Sequence, residues 1–494
     1  MRFVLTVPAL APTHRHSVLI LLLLAAMVTL AGCQVNPATG REQFVMGSVE
    51  QDAAIGRQQH SSVLAEFGGA YPDRELAAYV DRIGQSLVAQ TEIADLDYTF
   101  TVLDDDLVNA FALPGGYVYV TRGLMAWAND EAELASVIAH EIGHVTARHG
   151  AERMSRSTVA GLGLAVLGVA IDSPGLQQAA NVGAQLVLSA YSRDQEFEAD
   201  GLGIRYLSRA GYDPLGSADF LSQLDRNSRY QSLGAGGAQG RSSQSYFSTH
   251  PPTGERIQLA RAAVTPGAQG VRGEDRLLSR LDGMLWGESG DQGYLRGDVF
   301  LLPNPGIRWN AVPPFTLDQH PTGILGQEPG GSQFLFDYGQ LTRRMSMETY
   351  LTQVWAPDLR LSQVQRININ SFVAATGTTR ISTRNGPRDL RLIAIDGGAQ
   401  LYRFQFLTPV DRTRALSEPL RRITYSLRPT GPSDQALMRP QRIAVQTVQP
   451  GQTANDYARR MAVDDYPLEL FLAMNGLDSP NQLRIGDRVK LIVQ

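Results

Sequence analysis

The stretch "VIAHEIGHVTARHG", residues 137–150, contains an H-E-x-x-H pattern at His140, Glu141 and His144. Residues four positions apart share one face of an α-helix, so the imidazoles of His140 and His144 can bind the same ion. The residues around them are mostly apolar, which predicts a helix inside a core, where unpaired polar side chains are costly. The pattern therefore predicts a zinc site with Glu141 directed at the attacking water. The alternative is an ordinary helix with incidental histidines.

A catalytic zinc ion needs one more protein ligand than two histidines supply. The downstream candidates are His250 and the carboxylates of "SRDQEFEAD", residues 192–200. On a helix Glu196 shares a face with Asp200, whereas Glu198 points away from Glu196. The E-x-x-x-D spacing resembles that of gluzincin metallopeptidases. This resemblance implies that Glu196 is the third ligand and that Asp200 orients the first histidine from outside the ligand set.

Longer stretches around these residues resemble one family of peptidases. They are "NAFALPGGYVYVTRGLM" (109–125), "ELASVIAHEIGHVTARH" (133–149), "SRDQEFEADGLGIRYLSRAGYDP" (192–214) and "STHPPTGERI" (248–257). Their order resembles that in the family of the CAAX prenyl protease and the mitochondrial Oma-type protease, and above all its periplasmic beta-barrel assembly-enhancing branch. The resemblance covers about residues 45–265 and implies a mostly helical, zincin-type metallopeptidase domain with a small β-sheet.

The chemistry that this resemblance implies is zinc-assisted peptide hydrolysis. One Zn²⁺ per chain is expected on His140, His144 and Glu196, and Glu141 is expected to take a proton from the attacking water and return it to the leaving amine. The segment "NAFALPGG" (109–116) resembles the active-site edge strand of zincins. An extended substrate would be added to that edge as a further strand.

The family's His-Pro element is present at His250, with Arg256 six residues further on. One hypothesis is that His250 reaches the open zinc position and blocks it until a substrate displaces the loop. Another is that His250 or Arg256 is a catalytic residue that stabilises the oxyanion. A third interpretation is a loop histidine with local packing only. His149 lies off the face of His144 on a continuous helix, and we expect it to be a structural histidine.

Periodicity of apolar residues predicts the elements around these motifs. Helices are expected over about residues 47–92, from about Asp130 onwards, from about Asn181 to Gly211 and over 416–427, with strands at 98–102, 117–121, 390–397 and 400–409. The apolar run 158–171 is short for a membrane span and predicts a buried or substrate-facing hairpin. The glycine- and serine-rich segment 232–245 predicts a flexible loop.

The first 32 residues are predicted to be a targeting segment. The apolar run "VLILLLLAAMVTL" (18–30) is short for a membrane span, and "LAGC" then ends at Cys33, the only cysteine of the sequence. This order resembles a bacterial lipobox and implies a mature chain that begins at a lipidated Cys33. Residue 34 is Gln and not Asp, which by resemblance to the sorting rules of Gram-negative lipoproteins implies a periplasmic protein anchored to the inner leaflet of the outer membrane. The alternative is a plain signal peptide with a free cysteine.

Two further units follow the peptidase-like region. Residues 285–435 favour strands and are predicted to form an α/β domain of unknown role. Residues 441–494 predict a strand, two helices and a strand, with Thr453 as the N-cap of the first helix. This pattern resembles a LysM module, which binds glycans such as peptidoglycan, although a domain of that shape can also only pack or bind protein. The predicted fold class is therefore α+β with a βααβ module at the C-terminus.

Composition and motifs together predict a function. A net charge of −5 over 494 residues, without a concentrated basic run, gives no argument for nucleic acid. The chain is predicted to be a zinc metalloendopeptidase of the bacterial envelope that cleaves misfolded or unassembled proteins and acts near the outer-membrane assembly machinery. Two alternatives stay open. One is a lipid-anchored, peptidoglycan-binding scaffold or chaperone with a dormant zinc site, and the other is a cell-wall peptide hydrolase.

Overall fold

The computed structural model describes residues 33–166, 190–235, 246, 250, 254–320, 323–341, 343–383, 386–463 and 465–494. The predicted targeting segment, the last five residues of the hairpin predicted at 158–171 and most of the loop predicted at 232–245 lie outside these residues, whereas residues 158–166 are helical. Within the described ranges, none of the helices combines the length and the apolar character needed to cross a bilayer.

The first part of the chain is built from short strands and longer helices. Its strands are β1 (Cys33–Val35), β2 (Glu42–Phe44), β3 (Thr99–Leu103), β4 (Ala110–Leu113) and β5 (Tyr117–Thr121). Its helices are α1 (Val49–Glu66), α2 (Arg74–Val88), α3 (Arg122–Met125), α4 (Glu131–Thr146), α5 (His149–Val166), α6 (Arg193–Arg209), α7 (Gly216–Tyr230), α8 (Gly254–Ala263) and α9 (Glu274–Leu281). The helices expected over 47–92 and after Asp130, and the strands expected at 98–102 and 117–121, are confirmed.

One predicted helix differs at its start. The helix that ends before Gly211 begins at Arg193 and not at about Asn181. Ser192 caps it, because the Ser192 hydroxyl accepts a hydrogen bond from the Gln195 amide while the Gln195 side chain accepts one from the Ser192 amide. Gly211 has a φ of 83°, which ends the helix as predicted.

Among the described residues, the small sheet ends beside the central helix in an edge strand. Strand β5 lies between β3, to which it is parallel, and β4, to which it is antiparallel. Strand β4 is therefore an edge strand, as predicted for residues 109–116. It packs against α4, in which every residue is buried.

The middle of the chain forms two antiparallel sheets. The shorter strands are β7 (Tyr294–Arg296), β8 (Val299–Leu302), β9 (Ile307–Asn310), β10 (Thr316–His320), β11 (Gly323–Gln327) and β12 (Gln333–Gln340). Strand β6 (Leu285–Trp286) precedes them and belongs to a third sheet. Helix α10 (Met347–Thr349) precedes β13 (Ser362–Ile369), β14 (Phe372–Thr383), β15 (Gly386–Gly397), β16 (Gln400–Pro409), α11 (Thr413–Tyr425) and β17 (Arg428–Pro429). The larger sheet has the order β10-β11-β12-β16-β15-β14-β13. The strands predicted at 390–397 and 400–409 and the helix predicted at 416–427 are confirmed.

The C-terminal unit contains β18 (Gln441–Thr447), α12 (Ala454–Ala458), α13 (Pro467–Met474) and β19 (Arg488–Val493). The Thr453 hydroxyl accepts a hydrogen bond from the Asp456 amide and caps α12, as predicted. Strand β18 pairs with β19 and also with β6. Phe471 and Leu491 belong to the same hydrophobic core as Ile138 of α4, so this unit packs as part of the first half of the chain. Mixed helix and sheet confirm the predicted α+β class.

Candidate metal centre

Three predicted ligands meet between helices α4 and α6. The Nε2 atoms of His140 and His144 lie 3.0 Å apart. From α6, Glu196 brings Oε1 to 3.4 Å from His144 Nε2 and Oε2 to 3.6 Å from His140 Nε2. All three side chains are buried. The two histidines of α4 and the glutamate of α6 therefore form one enclosed group of donor atoms.

Two glycines allow this close meeting of the helices. A Cβ atom on Gly143 would lie 3.0 Å from the carbonyl oxygen of Ala199, and one on Gly203 would lie 3.1 Å from the amide nitrogen of His140. Larger side chains at either position would push α6 away from α4. The glycines therefore set the distance at which Glu196 faces the two histidines.

His250 joins the same group from the segment after α7. Its Nδ1 lies 2.8 Å from Glu196 Oε1 and 3.3 Å from His140 Nε2. One ligand atom from each of His140, His144, Glu196 and His250 can be chosen so that all lie within 4.8 Å of one another. Three imidazoles and one carboxylate form a donor set that suits zinc.

Glu141 lies beside the cluster but is not one of its four possible metal ligands. The side chain is buried, and its Oε1 has no hydrogen-bond partner among the described residues. The Nε2 atom of His250 lies 3.6 Å from this oxygen. Burial raises the pKa of the Glu141 carboxyl. A buried carboxylate with a free oxygen is suited to accept a proton from a water at the cluster.

The ionisation of two members of the cluster, His144 and Glu196, fits metal binding. Burial lowers the pKa of His144 well below its usual value. Burial opposes the ionisation of Glu196, yet His250 and His144 hold the pKa of its carboxyl well below the usual range. Neutral imidazole and ionised carboxylate are the forms that bind metal ions.

Asp200 and Arg256 surround the cluster on one side. The Nδ1 of His140 lies 2.9 Å from Asp200 Oδ1. Arg256 is buried and donates two hydrogen bonds of 2.8 Å to the Asp200 carboxylate, while its Nη1 lies 2.8 Å from Glu196 Oε2. The guanidinium of Arg256 therefore contacts both the Glu196 carboxylate and the Asp200 carboxylate that pairs with His140.

Sequence reasoning missed two tyrosines at the site. Tyr191 stacks on His144, with ring centroids 3.9 Å apart, and Tyr246 stacks on His250 at 4.6 Å. Tyr191 precedes the cap of α6, and Tyr246 directly follows a segment read from its composition as a flexible loop. Neither position carries a periodic or motif signal that would have placed it beside a histidine.

Cys33 lies at the first position of β1, far along the sequence from the cluster. It pairs with Phe44 of β2 in a short hairpin. The hairpin contacts the end of α4, since the Asn36 side chain donates a hydrogen bond to the Thr146 carbonyl oxygen at 2.9 Å. The residue predicted to carry lipid is thus followed directly by a segment that is hydrogen-bonded to α4, the helix that carries His140 and His144.

Comparison with known proteins identifies the domain. Residues 74–264 match the sequence profile of Peptidase family M48. The chain is 34% identical over 209 residues to the beta-barrel assembly-enhancing protease of Yersinia pestis, covering 40% of this chain and 42% of that protein. It is 29% identical over 228 residues to the mitochondrial metalloendopeptidase OMA1 of Schizosaccharomyces pombe, covering 45% and 64%. It is also 28% identical over 268 residues to the metalloprotease LoiP of Escherichia coli, covering 51% and 98%.

The similarity covers about half of this chain or less, and a varying share of each relative. It spans less than half the length of the Yersinia pestis relative, whereas it spans nearly all of LoiP. The family resemblance drawn from the motifs is confirmed for the peptidase domain.

Proposed function

We propose, on the premise that residues 74–264 are an M48 peptidase domain, that the chain is a zinc-dependent metalloendopeptidase of the bacterial cell envelope. The observation that carries this proposal is the buried group of His140, His144, Glu196 and His250. Glu141 adds a free, buried carboxylate oxygen beside that group. A purely structural metal site has no need of such a proton acceptor.

The residues divide the work of peptide hydrolysis. Zinc, when bound by His140, His144 and Glu196, supplies a Lewis acid that polarises the scissile carbonyl and activates water. Glu141 accepts the proton of the attacking water and delivers it to the leaving amine. The free edge of β4 offers backbone groups to an extended substrate, which holds the peptide in register beside α4.

His250 is proposed to occupy the fourth ligand position when no substrate is present. Its Nδ1 is directed at the same space as His140 Nε2, at 3.3 Å. Displacement of His250 would open that position to water and substrate. The alternative role, stabilisation of the oxyanion by His250 or Arg256, is supported by their nearness to the cluster. For Arg256 the support is weaker, because its guanidinium already contacts Glu196 and Asp200.

The proposed substrates are misfolded or unassembled envelope proteins, and the proposed setting is close to the outer-membrane assembly machinery. The support is the similarity to a protein named beta-barrel assembly-enhancing protease. Measurement of metal content and of casein cleavage, with and without a chelator, tests the peptidase against a scaffold with a dormant site. We expect about one zinc per chain and cleavage that the chelator abolishes. A chain without zinc, or with chelator-insensitive cleavage, would contradict the proposal.

A cell-wall hydrolase would use the same zinc chemistry on a different peptide. Digestion of unfolded outer-membrane proteins and of muropeptides by the same preparation separates the two functions. We expect cleavage of the unfolded proteins only, because the edge of β4 suits a chain that can extend over several residues. Cleavage of muropeptides alone would favour the cell-wall function.

Cys33 is proposed to be lipidated and to hold the protein at the periplasmic face of the outer membrane. The support is the lipobox-like "LAGC" that ends at this residue. Two or more acyl chains give stable anchoring, whereas one chain binds weakly. Fractionation of cells that produce wild type or Cys33→Ser tests this anchor. We expect the wild type in the outer-membrane fraction and the variant released from it.

The C-terminal unit, residues 441–494, is proposed to be a LysM-like glycan-binding module. Its order of strand, helix, helix and strand supports this proposal. Two loops also lie side by side there, since the Val448 amide donates a hydrogen bond to the Asp487 carbonyl oxygen and the Gly486 amide donates one to the Val448 carbonyl oxygen. Sedimentation of the mature chain with purified peptidoglycan tests glycan binding. Absence of co-sedimentation would contradict glycan binding and favour a unit that only packs against the rest of the chain.

A further inference from the structure

His149 is in direct contact with a proposed zinc ligand. Its Nδ1 lies 2.8 Å from His144 Nδ1, and its Nε2 lies 2.9 Å from Glu198 Oε2. The rings of His144 and His149 are both buried. The contact arises because α4 ends at Thr146 and Arg148 has a φ of 54°, which turns the chain so that the first residue of α5 faces His144.

Only one arrangement of hydrogens agrees with a metal ion on His144. The Nε2 of His144 faces His140 and Glu196, so its lone pair must be available there and its hydrogen must be on Nδ1. Because two nitrogens 2.8 Å apart need one hydrogen between them, His144 Nδ1 donates to His149 Nδ1. His149 then carries its own hydrogen on Nε2 and donates it to the Glu198 carboxylate.

The chain of contacts ends on the N-terminal hairpin. Arg41, between β1 and β2, places its Nη2 at 3.3 Å from Glu198 Oε2 and at 3.1 Å from Glu152 Oε2. Both proposed metal histidines are thus backed by a carboxylate and an arginine. For His140 the carboxylate is Asp200 and the contact is direct, whereas for His144 it is Glu198 and the contact runs through His149.

We infer that His149 and Glu198 are positioning residues of the zinc site, which fix the ring and the tautomer of His144, with Arg41 as the outer end of the same relay. This inference rests on the proposed zinc site. Partners of metal-bound histidines typically change metal affinity or activity by about 10–100-fold when they are removed. Helical spacing does not predict this role, because a continuous helix would have carried His149 away from His144.

The test is the zinc affinity of the mature chain, measured by competition with a chromophoric chelator. We expect His149→Leu to weaken zinc binding by about 10–100-fold. His149→Asn should lose less, because its side-chain oxygen can still accept the hydrogen of His144 Nδ1. Glu198→Gln should give a smaller loss in the same direction. The matched control is His60→Leu, which removes a histidine that contacts the Tyr119 hydroxyl at 2.7 Å and should leave zinc affinity unchanged.

A second measurement reads the tautomers themselves. In the zinc-loaded chain with ¹⁵N-labelled histidine, we expect His144 to carry its hydrogen on Nδ1 and His149 on Nε2. The opposite tautomer at His149, or wild-type zinc affinity in folded His149→Leu, would overturn the relay. If His149→Leu does not fold, Glu198→Gln decides, and unchanged affinity in that variant overturns the relay. A wild-type chain that binds no zinc would instead contradict the proposed function.

Discussion

The side-chain amine of Lys490 donates a 2.8 Å hydrogen bond to the carbonyl oxygen of Ala128, and so joins β19 to the start of α4, the helix that carries His140 and His144. A second bond of 2.8 Å goes to the carbonyl oxygen of Ala126. Lys490 is the only lysine of the sequence and is fully buried. Ala128 lies two residues before Asp130, the N-cap of α4. The C-terminal unit therefore supports the helix that carries His140.

Lys490→Met is expected to destabilise the protein by about 3 kcal/mol, because two buried carbonyl oxygens lose their donor while the apolar stem is kept. Thermal unfolding of the mature chain measures the effect. Arg459→Met is the matched control, since this arginine is largely exposed on the same unit and its loss should change stability by about 0.5 kcal/mol or less. Equal loss of stability in both variants would argue against the role of Lys490.

Glu141→Gln is expected to keep zinc and lose peptidase activity. The amide has nearly the same shape but cannot accept the proton of the attacking water, so casein cleavage should fall by about a hundredfold or more. Zinc content by elemental analysis should stay at the wild-type value, because the four donors of the cluster are intact. Glu75→Gln changes an exposed carboxylate of α2 and should retain full activity. Cleavage by Glu141→Gln at the wild-type rate would remove Glu141 from the mechanism.

His250→Ala distinguishes a blocking ligand from an oxyanion-stabilising group. If His250 holds the fourth ligand position, as we propose, the variant should bind zinc about tenfold or more weakly and cleave casein faster once zinc is saturating. The rate of casein cleavage is measured as an initial rate at saturating zinc, and the zinc affinity is measured in a separate titration. A slower rate with unchanged zinc affinity would support the oxyanion role. Unchanged rate and affinity would leave His250 with local packing only.

The parts of the site that the sequence predicted are those in which local spacing sets geometry. His140 and His144 share a helical face because they are four residues apart, and the cap at Asp130 fixes where that helix begins. Glu196, 52 residues after His144, was predicted to be the third ligand only from a family resemblance. Helical spacing alone would not have shown that α6 crosses α4 at Gly143, at a distance that excludes a larger side chain.

The parts that the sequence did not predict depend on a break in periodicity or on distant contacts. His149 was placed off the metal face on the assumption of a continuous helix, but α4 stops at Thr146 and Arg148 adopts a left-handed backbone conformation. A hydrogen bond from Lys490 to Ala128 joins residues 362 positions apart. Neither feature has a local signature, because both arise from tertiary packing.

The stability contributed by Asp434, in the segment 285–435, is expected to depend on pH. Burial opposes its ionisation, but the Gly431 amide, at 2.8 Å, and the guanidinium groups of Arg308 and Arg428, at 2.7 and 3.0 Å, hold the pKa of Asp434 at about 2, below its usual 3.8. The folded state therefore favours the ionised carboxylate. The stabilisation is fully present above about pH 4 and is lost as the pH falls through about 2.

Asp434→Asn should accordingly destabilise the protein at pH 7 by on the order of 1–3 kcal/mol, the cost of losing hydrogen bonds to a charged group. The difference from wild type should shrink as the pH falls from about 4 towards about 2, where the wild-type carboxyl is itself protonated. Thermal unfolding of both proteins at pH 7, 5, 4 and 3 measures it, with Asp358→Asn as the control at an exposed position. A difference that stayed constant down to pH 3 would mean that the substitution destabilises the protein through the packing of the new amide and not through the missing charge.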